Sequence, residues 1–225
     1  MKETIKTGII LMVYTLVAGM ILGFVYLSTQ DAIKVAELKN TIEAVKFVLT
    51  EDGKLLVKES KIKKAVVDAT GEEKELYIKD TSAVLSPVLN FDTEKGRIFV
   101  LKGYGIGYGG KVITVASFLV NKNRVDLIAI KVIEYSQETP GLGAKIAEDI
   151  SQKRFYPIPY EGLKNGVKVD KDAGKSNLSP EEAKEIGVVK ISDVMTGATI
   201  TPRAVASTID TMFEFLNKEV QNNVQ

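Results

Sequence analysis

The sequence contains no cysteine, no histidine and no tryptophan. Without cysteine there are no disulfides, no thiolate metal sites and no cysteine-ligated iron–sulfur clusters. Without histidine there is no imidazole metal ligand, no Ser-His or Cys-His nucleophile pair, and no side chain that ordinarily titrates near neutral pH. Any redox chemistry must therefore be carried by a borrowed organic cofactor. A charge excess is also lacking: Lys+Arg total 30 and Asp+Glu total 29. That balance gives none of the basic surplus of a nucleic-acid surface, and no nucleic-acid partner is expected.

What is present begins with an apolar run. Gly8 to Leu27 (GIILMVYTLVAGMILGFVYL) carries no charge, and about 20 such residues span a bilayer as a helix. A buried core helix would show a polar stripe, and a cleaved signal peptide would be shorter and end in a small-x-small site. Neither pattern is seen. The expectation is a membrane anchor over residues 1–29 and one further domain over 30–225, for which 225 residues suffice. Lys2 and Lys6 outweigh Glu3 before the apolar run, whereas Asp31, Lys34, Glu37 and Lys39 cancel after it. The positive-inside rule then predicts a single-pass protein of the cell membrane, with a cytoplasmic N-terminus and the main domain on the outer side.

Beyond the anchor, Leu38, Ile42, Val45 and Leu49 share one face of a helix over 31–49, ended by Glu51-Asp52-Gly53. Strands are expected at 76–78, 97–101, 111–120 and 125–134, the last two joined by a hairpin loop at 121–124. In the last strand Ile128, Ile130 and Val132 are expected on one face. Ser179-Pro180-Glu181-Glu182 has the form of a capped helix start, and a short strand is expected at 188–191. Thr201-Pro202 repeats the cap-then-proline signal ahead of a helix whose Val205, Ile209, Met212 and Leu216 fall on one face. Strands with interspersed helices and no regular βαβ alternation indicate an α+β domain.

Three segments can carry chemistry. Gly105-Ile106-Gly107-Tyr108-Gly109-Gly110 matches G-x-G-x-x-G but runs into a strand, Lys111–Val115. The dinucleotide-binding motif needs a helix there, so this is a turn whose glycines permit positive φ, with room for a cofactor beside bare backbone. Glu138-Thr139-Pro140-Gly141-Leu142-Gly143 is a rigid loop closing the last strand, either a plain turn or a wall of a site. Asp193-Val194-Met195-Thr196-Gly197-Ala198-Thr199-Ile200-Thr201 places small residues and three threonines just before a helix. A helix start offers free N–H donors and favours phosphate. On residues alone, either Thr201 caps the helix and the rest is loop, or a threonine hydroxyl here carries a phosphoester.

Thr196-Gly197-Ala198-Thr199, with Asp193 before it and Thr201 after it, resembles the [S/T]-G-A-T flavinylation motif of the FMN-binding domain in the RnfG and NqrC subunits of ion-pumping electron-transport complexes. Gly107–Gly110 and Glu138–Gly143 match family segments in the same order, and a single N-terminal membrane helix matches as well. The resemblance implies a compact FMN-binding domain with a mainly antiparallel sheet flanked by helices. It implies FMN joined through its phosphate to Thr199 by a separate flavin transferase that uses FAD and Mg²⁺. The cofactor-binding residues it marks are Thr196, Gly197, Ala198, Thr199 and Thr201, with Glu138, Thr139, Pro140, Gly141, Leu142 and Gly143. It further implies an electron-transfer subunit of a ferredoxin:NAD⁺ oxidoreductase (Rnf) complex, partnered by the complex's other subunits. The compact length favours that branch over the C subunit of a sodium-translocating NADH:quinone reductase. Ser136 stands where many relatives carry a histidine, which argues against a proton role at that position. A non-redox anchored module and a membrane-tethered redox regulator are the competing classes; the first would be colourless.

Overall fold

The structure, a computed structural model, describes residues 2–122, 124–174 and 177–222. The chain divides into two compact units, Met1–Asn40 and Thr41–Gln225. In the first unit the described residues form one helix, α1 (Lys2–Val48), whose last residues belong to the second unit. By length and composition α1 can cross a membrane, and none of its apolar stretch is buried within the protein. Ile9, Leu11, Leu22 and Phe24 are all exposed.

In the second unit the end of α1 turns apolar side chains inward, with Ala44, Val45 and Val48 buried. A two-residue hairpin follows, β1 (Thr50–Glu51) with β2 (Lys54–Leu55). Asp52 and Gly53 between them both have positive φ, the conformation that an Asp-Gly hairpin turn supplies. Next come α2 (Glu59–Asp68) and five strands: β3 (Glu75–Lys79), β4 (Ser82–Thr93), β5 (Gly96–Ile106), β6 (Lys111–Asn121) and β7 (Arg124–Glu134). These pair in sequence order as an antiparallel meander. The β6–β7 hairpin falls where expected, with Asn121 opposite Arg124; Asn123 in its loop lies outside the described residues.

One expectation about this sheet is corrected. Ser117 pairs with Ala129 and Phe118 with Leu127, so Ile128 is the extra residue of a β-bulge, which shifts the alternation. Ile130 and Val132 are buried, but Ile128 is only half-buried and does not share their face.

After β7 the chain runs through short elements: α3 (Asp149–Gln152), α4 (Tyr160–Lys164), β8 (Lys168–Val169), α5 (Asp170–Ala173), α6 (Pro180–Glu185) and β9 (Val188–Val189). Ser179 caps α6 through the full reciprocal capping box read from the sequence. β9 is shorter than expected and pairs in parallel with β8. The last helix, α7 (Ile200–Asn222), lies on the meander. Its Val205, Ile209, Met212 and Leu216 are buried in one cluster with Leu101, Ala116, Phe118, Ile130 and Val132 of the sheet. Alternate residues such as Val115 and Ser117 point to the opposite face, where Ser117 Oγ donates to the carbonyl of Val48 at 2.6 Å.

β5 is nearly bare where α7 crosses it. A Cβ at Gly105 would stand 2.3 Å from the carbonyl oxygen of Ala204, and one at Gly103 would stand 2.8 Å from Met212 Cε. The glycines let helix backbone approach strand backbone and so fix the height of the α7 N-terminus above the sheet.

Candidate cofactor site

The β5–β6 turn, the loop after β7 and the start of α7 meet at one place. Between them lies an open cleft of about 610 Å³, lined by Tyr108, Glu138, Thr139, Leu142, Gly143, Gly197, Ala198, Thr199, Ile200 and Thr201. Its volume is within the ~300–1,000 Å³ usual for small-molecule and cofactor sites.

Glu138 is the hub. It is 4 % exposed. One carboxylate oxygen accepts a short hydrogen bond from the hydroxyl of Thr201, and the other accepts from the backbone N–H of Gly109 at 3.1 Å. One side chain thus ties the glycine turn, its own loop and the first turn of α7 together. The surrounding glycines make room for it: a Cβ at Gly107 would stand 2.2 Å from Glu138 Oε1, and one at Gly143 would stand 2.3 Å from Oε2. A Cβ at Gly109 would stand 1.7 Å from the carbonyl of Gln137. None of Gly105, Gly107, Gly109 and Gly110 has positive φ. Close approach of backbone, not an unusual φ, is what this turn demands, and that corrects the expectation from sequence.

The loop after Glu138 is a tight turn. The N–H groups of Leu142 and Ala144 both donate to the carbonyl of Thr139, at 3.1 Å. Pro140 is second in the turn and Gly141 third, at φ 75°, the type II signature. Both are exposed at its tip and stand outside the cleft lining, whereas Thr139, Leu142 and Gly143 form part of it.

Gly197 has φ 84°, so the motif's glycine is required by backbone geometry. Thr196 is exposed, its hydroxyl 3.4 Å from the carbonyl of Ser192, and it too stands outside the cleft lining. α7 begins at Ile200, earlier than the cap-then-proline signal placed it. The carbonyl of Thr199 accepts from the N–H of Arg203 at 3.3 Å, so Thr199 holds the N-cap position and Pro202 the third helical position. Thr201 does not cap the helix, because its hydroxyl is committed to Glu138. The hydroxyl of Thr199 is likewise not spent on a cap; it accepts from Lys171 Nζ at 3.1 Å. Ile200 and Thr201 at the helix start leave their N–H groups free of intrahelical partners, and Pro202 has none to satisfy.

Charge around the cleft is distributed specifically. Arg203, a candidate phosphate donor by position, is held by Asp172: Nε donates at 2.7 Å and Nη2 makes a second, shorter bond. The Arg203 hydrogen bonds keep the Asp172 carboxyl below the usual carboxylate range. Asp193 of the motif pairs with Arg154 Nη2 at 2.8 Å. Ser136 is exposed and hydrogen-bonds only locally, to Glu134. Three further neighbours of the motif stand beside the marked residues: Tyr108 and Ile200 lie within segments singled out from sequence, and Lys171 does not. Tyr108 and Ile200 line the cleft, and Lys171 reaches Thr199 from α5, 28 residues earlier in the chain. The glycine turn pointed toward Tyr108, but nothing in local pattern pointed to Lys171.

Comparison with known proteins identifies the family. The FMN-binding domain family matches residues 107–214, from the glycine turn through most of α7. A crystal structure from Thermotoga maritima, described as that of a candidate RnfG subunit of an electron transport complex, is 40% identical. It superimposes with a TM-score of 0.65, covering 79% of this chain and 95% of its own. The G subunit of the ion-translocating oxidoreductase complex of Methanosarcina acetivorans is 26% identical over 77% of this chain and 85% of its own length. The protein of the same name from Vibrio atlanticus is 23% identical over 97% and 91%. With its cleft built from the glycine turn, the Glu138 loop and the Thr199 helix start, the chain belongs to the RnfG-type family of FMN-binding domains.

Proposed function

We propose that this chain is the membrane-anchored electron-transfer subunit of an Rnf-type ion-translocating oxidoreductase complex, with FMN held covalently through its phosphate on Thr199. The observation that carries this is the position of Thr199. Its hydroxyl is uncommitted to capping, stands at the N-cap of a 23-residue helix and opens onto the cleft. When bound, FMN supplies one- and two-electron redox chemistry.

The chain's own residues attach, orient and shelter. In the transfer, Thr199 Oγ would bond to the phosphorus of the FMN half of FAD as the pyrophosphate P–O bond broke, with AMP as the leaving group and the hydroxyl proton going to the flavin transferase or to solvent. The free N–H groups at the start of α7 and its dipole favour the remaining negative charge. Gly197 and Ala198 leave space beside the ester. Leu142 and Tyr108 offer apolar and aromatic surface to the ring. Glu138 presents a carboxylate and so does not hold phosphate; it fixes the three wall segments against one another. The exposed apolar stretch of α1 anchors the chain in the membrane, with the N-terminus inside and the domain outside. The other subunits of the complex are the electron partners, and a flavin transferase matures the protein.

The test is co-expression with the flavin transferase, followed by denaturing electrophoresis under ultraviolet light. A band that fluoresces after denaturation, and is lost in Thr199→Ala, is expected. A colourless wild-type protein would instead favour a non-redox anchored module.

A further inference from the structure

We propose that Lys171 is the cation of the phosphate site, its ammonium taking the negative charge of the phosphoester on Thr199; the proposal rests on the flavin attachment argued above. Lys171 Nζ lies 3.1 Å from Thr199 Oγ1, hydrogen-bond distance from the atom that would become the ester oxygen. An exposed lysine ordinarily leaves its head in water, since holding a long side chain in one place costs rotamer entropy.

Here the backbone on both sides of it is pinned. Asp170 is buried, and its carboxylate accepts from the N–H of Lys171 at 3.0 Å and from the hydroxyl of Ser192. Asp172 is clamped by two hydrogen bonds from Arg203 on α7. The clamp joins α5 to the first turn of α7, so the lysine between the two aspartates is carried to the N-cap residue of that helix.

The charges sort in the same sense. Arg203 would ordinarily be the better partner for a phosphate, because its planar fork binds two oxygens. It is already neutralised by Asp172. Asp170 turns away toward Ser192. Among the described residues Lys171 has no carboxylate partner within ion-pair distance, so it brings an uncancelled positive charge to the hydroxyl. The free N–H groups of the α7 start, on Ile200 and Thr201, follow Thr199 directly in the chain. A phosphate on Thr199 would thus meet backbone donors and one full cation.

The experiment uses the full chain in detergent with purified flavin transferase, FAD and Mg²⁺, followed by intact mass over time. Wild type, Lys171→Gln and Lys171→Arg are compared at low and high salt. Lys171→Gln is expected to acquire the FMN adduct about ten-fold more slowly or worse, the loss of one charge-assisted hydrogen bond. Lys171→Arg should recover most of the rate, and the gap between wild type and Lys171→Gln should narrow as salt screens the exposed charge. Phosphorus NMR of the finished adducts should show a shifted ester resonance in Lys171→Gln. Equal rates for wild type and Lys171→Gln at low salt, no rescue by Arg, or an unchanged phosphorus resonance would each overturn the proposal while leaving attachment at Thr199 intact. A wild-type chain that acquires no adduct would overturn both. The unmodified variants should unfold at the wild-type temperature, since Lys171 is exposed.

Discussion

Two threonines two residues apart in the motif have opposite duties. Thr201 is buried and donates to a buried carboxylate, whereas Thr199 is half-buried and, among the described residues, its hydroxyl is bonded only from Lys171. Thr201→Val should cost about 1–3 kcal/mol in denaturant unfolding, because Glu138 loses its hydroxyl donor while staying buried. That variant should still accept some flavin. Thr199→Ala should unfold close to wild type and carry no covalent flavin. A Thr199→Ala protein as destabilised as Thr201→Val would show that Thr199 is a structural cap. The difference is not visible in the string T-G-A-T-I-T, where either hydroxyl can cap a helix. It is decided by Glu138, 63 residues away in the chain. Lys171 is hidden for the same reason: a lysine between two aspartates reads as a solvated turn until α7 is folded against it.

At the scale of elements, periodicity and turn chemistry were legible wherever a segment obeyed one rule throughout. The α7 face, the Ser179 capping box and the strands β3, β5, β6 and β7 all follow from local pattern. β4 did not stand out, because Pro87 sits where its pairing with β5 shifts register between Leu85 and Leu89, and proline in a run argues against a strand except at such an irregularity. α2 was overlooked because half of its residues are charged and only Ile62 and Val66 are buried. The glycines of β5 looked like turn residues, yet their use is to admit α7. Gly105→Ala therefore tests the element packing directly. Its Cβ would meet the Ala204 carbonyl at 2.3 Å, and neither backbone can swing away as a side chain can. About 1–3 kcal/mol or more should be lost in chemical denaturation, and flavin incorporation should fall with it, because the displaced helix start is the floor of the cleft. A Gly105→Ala protein with unchanged stability and unchanged flavin would mean that the helix height above β5 does not set the site.

The whole molecule pairs an apolar helix, exposed along its apolar stretch, with a domain of the FMN-binding family. The absence of cysteine makes the membrane arrangement easy to probe. Lys122, exposed at the tip of the β6–β7 hairpin, can be replaced by cysteine as the protein's sole thiol. An impermeant thiol reagent should label Lys122→Cys on intact cells; labelling only after lysis would reverse the orientation drawn from Lys2 and Lys6. The absence of histidine bears on the whole molecule too, since proton-coupled steps at neutral pH cannot run through an imidazole of this chain.

The proposed function turns on a single bond, between Thr199 Oγ and the phosphorus of FMN. Peptide mapping by mass spectrometry of the protein matured with its flavin transferase tests it most directly. The peptide containing Thr196-Gly197-Ala198-Thr199-Ile200-Thr201 is expected to carry the mass of FMN less one water, with fragment ions placing it on Thr199. An adduct on Thr196, on Thr201 or on any other peptide would rule out attachment at Thr199, as would a fully matured protein whose flavin is released intact on denaturation.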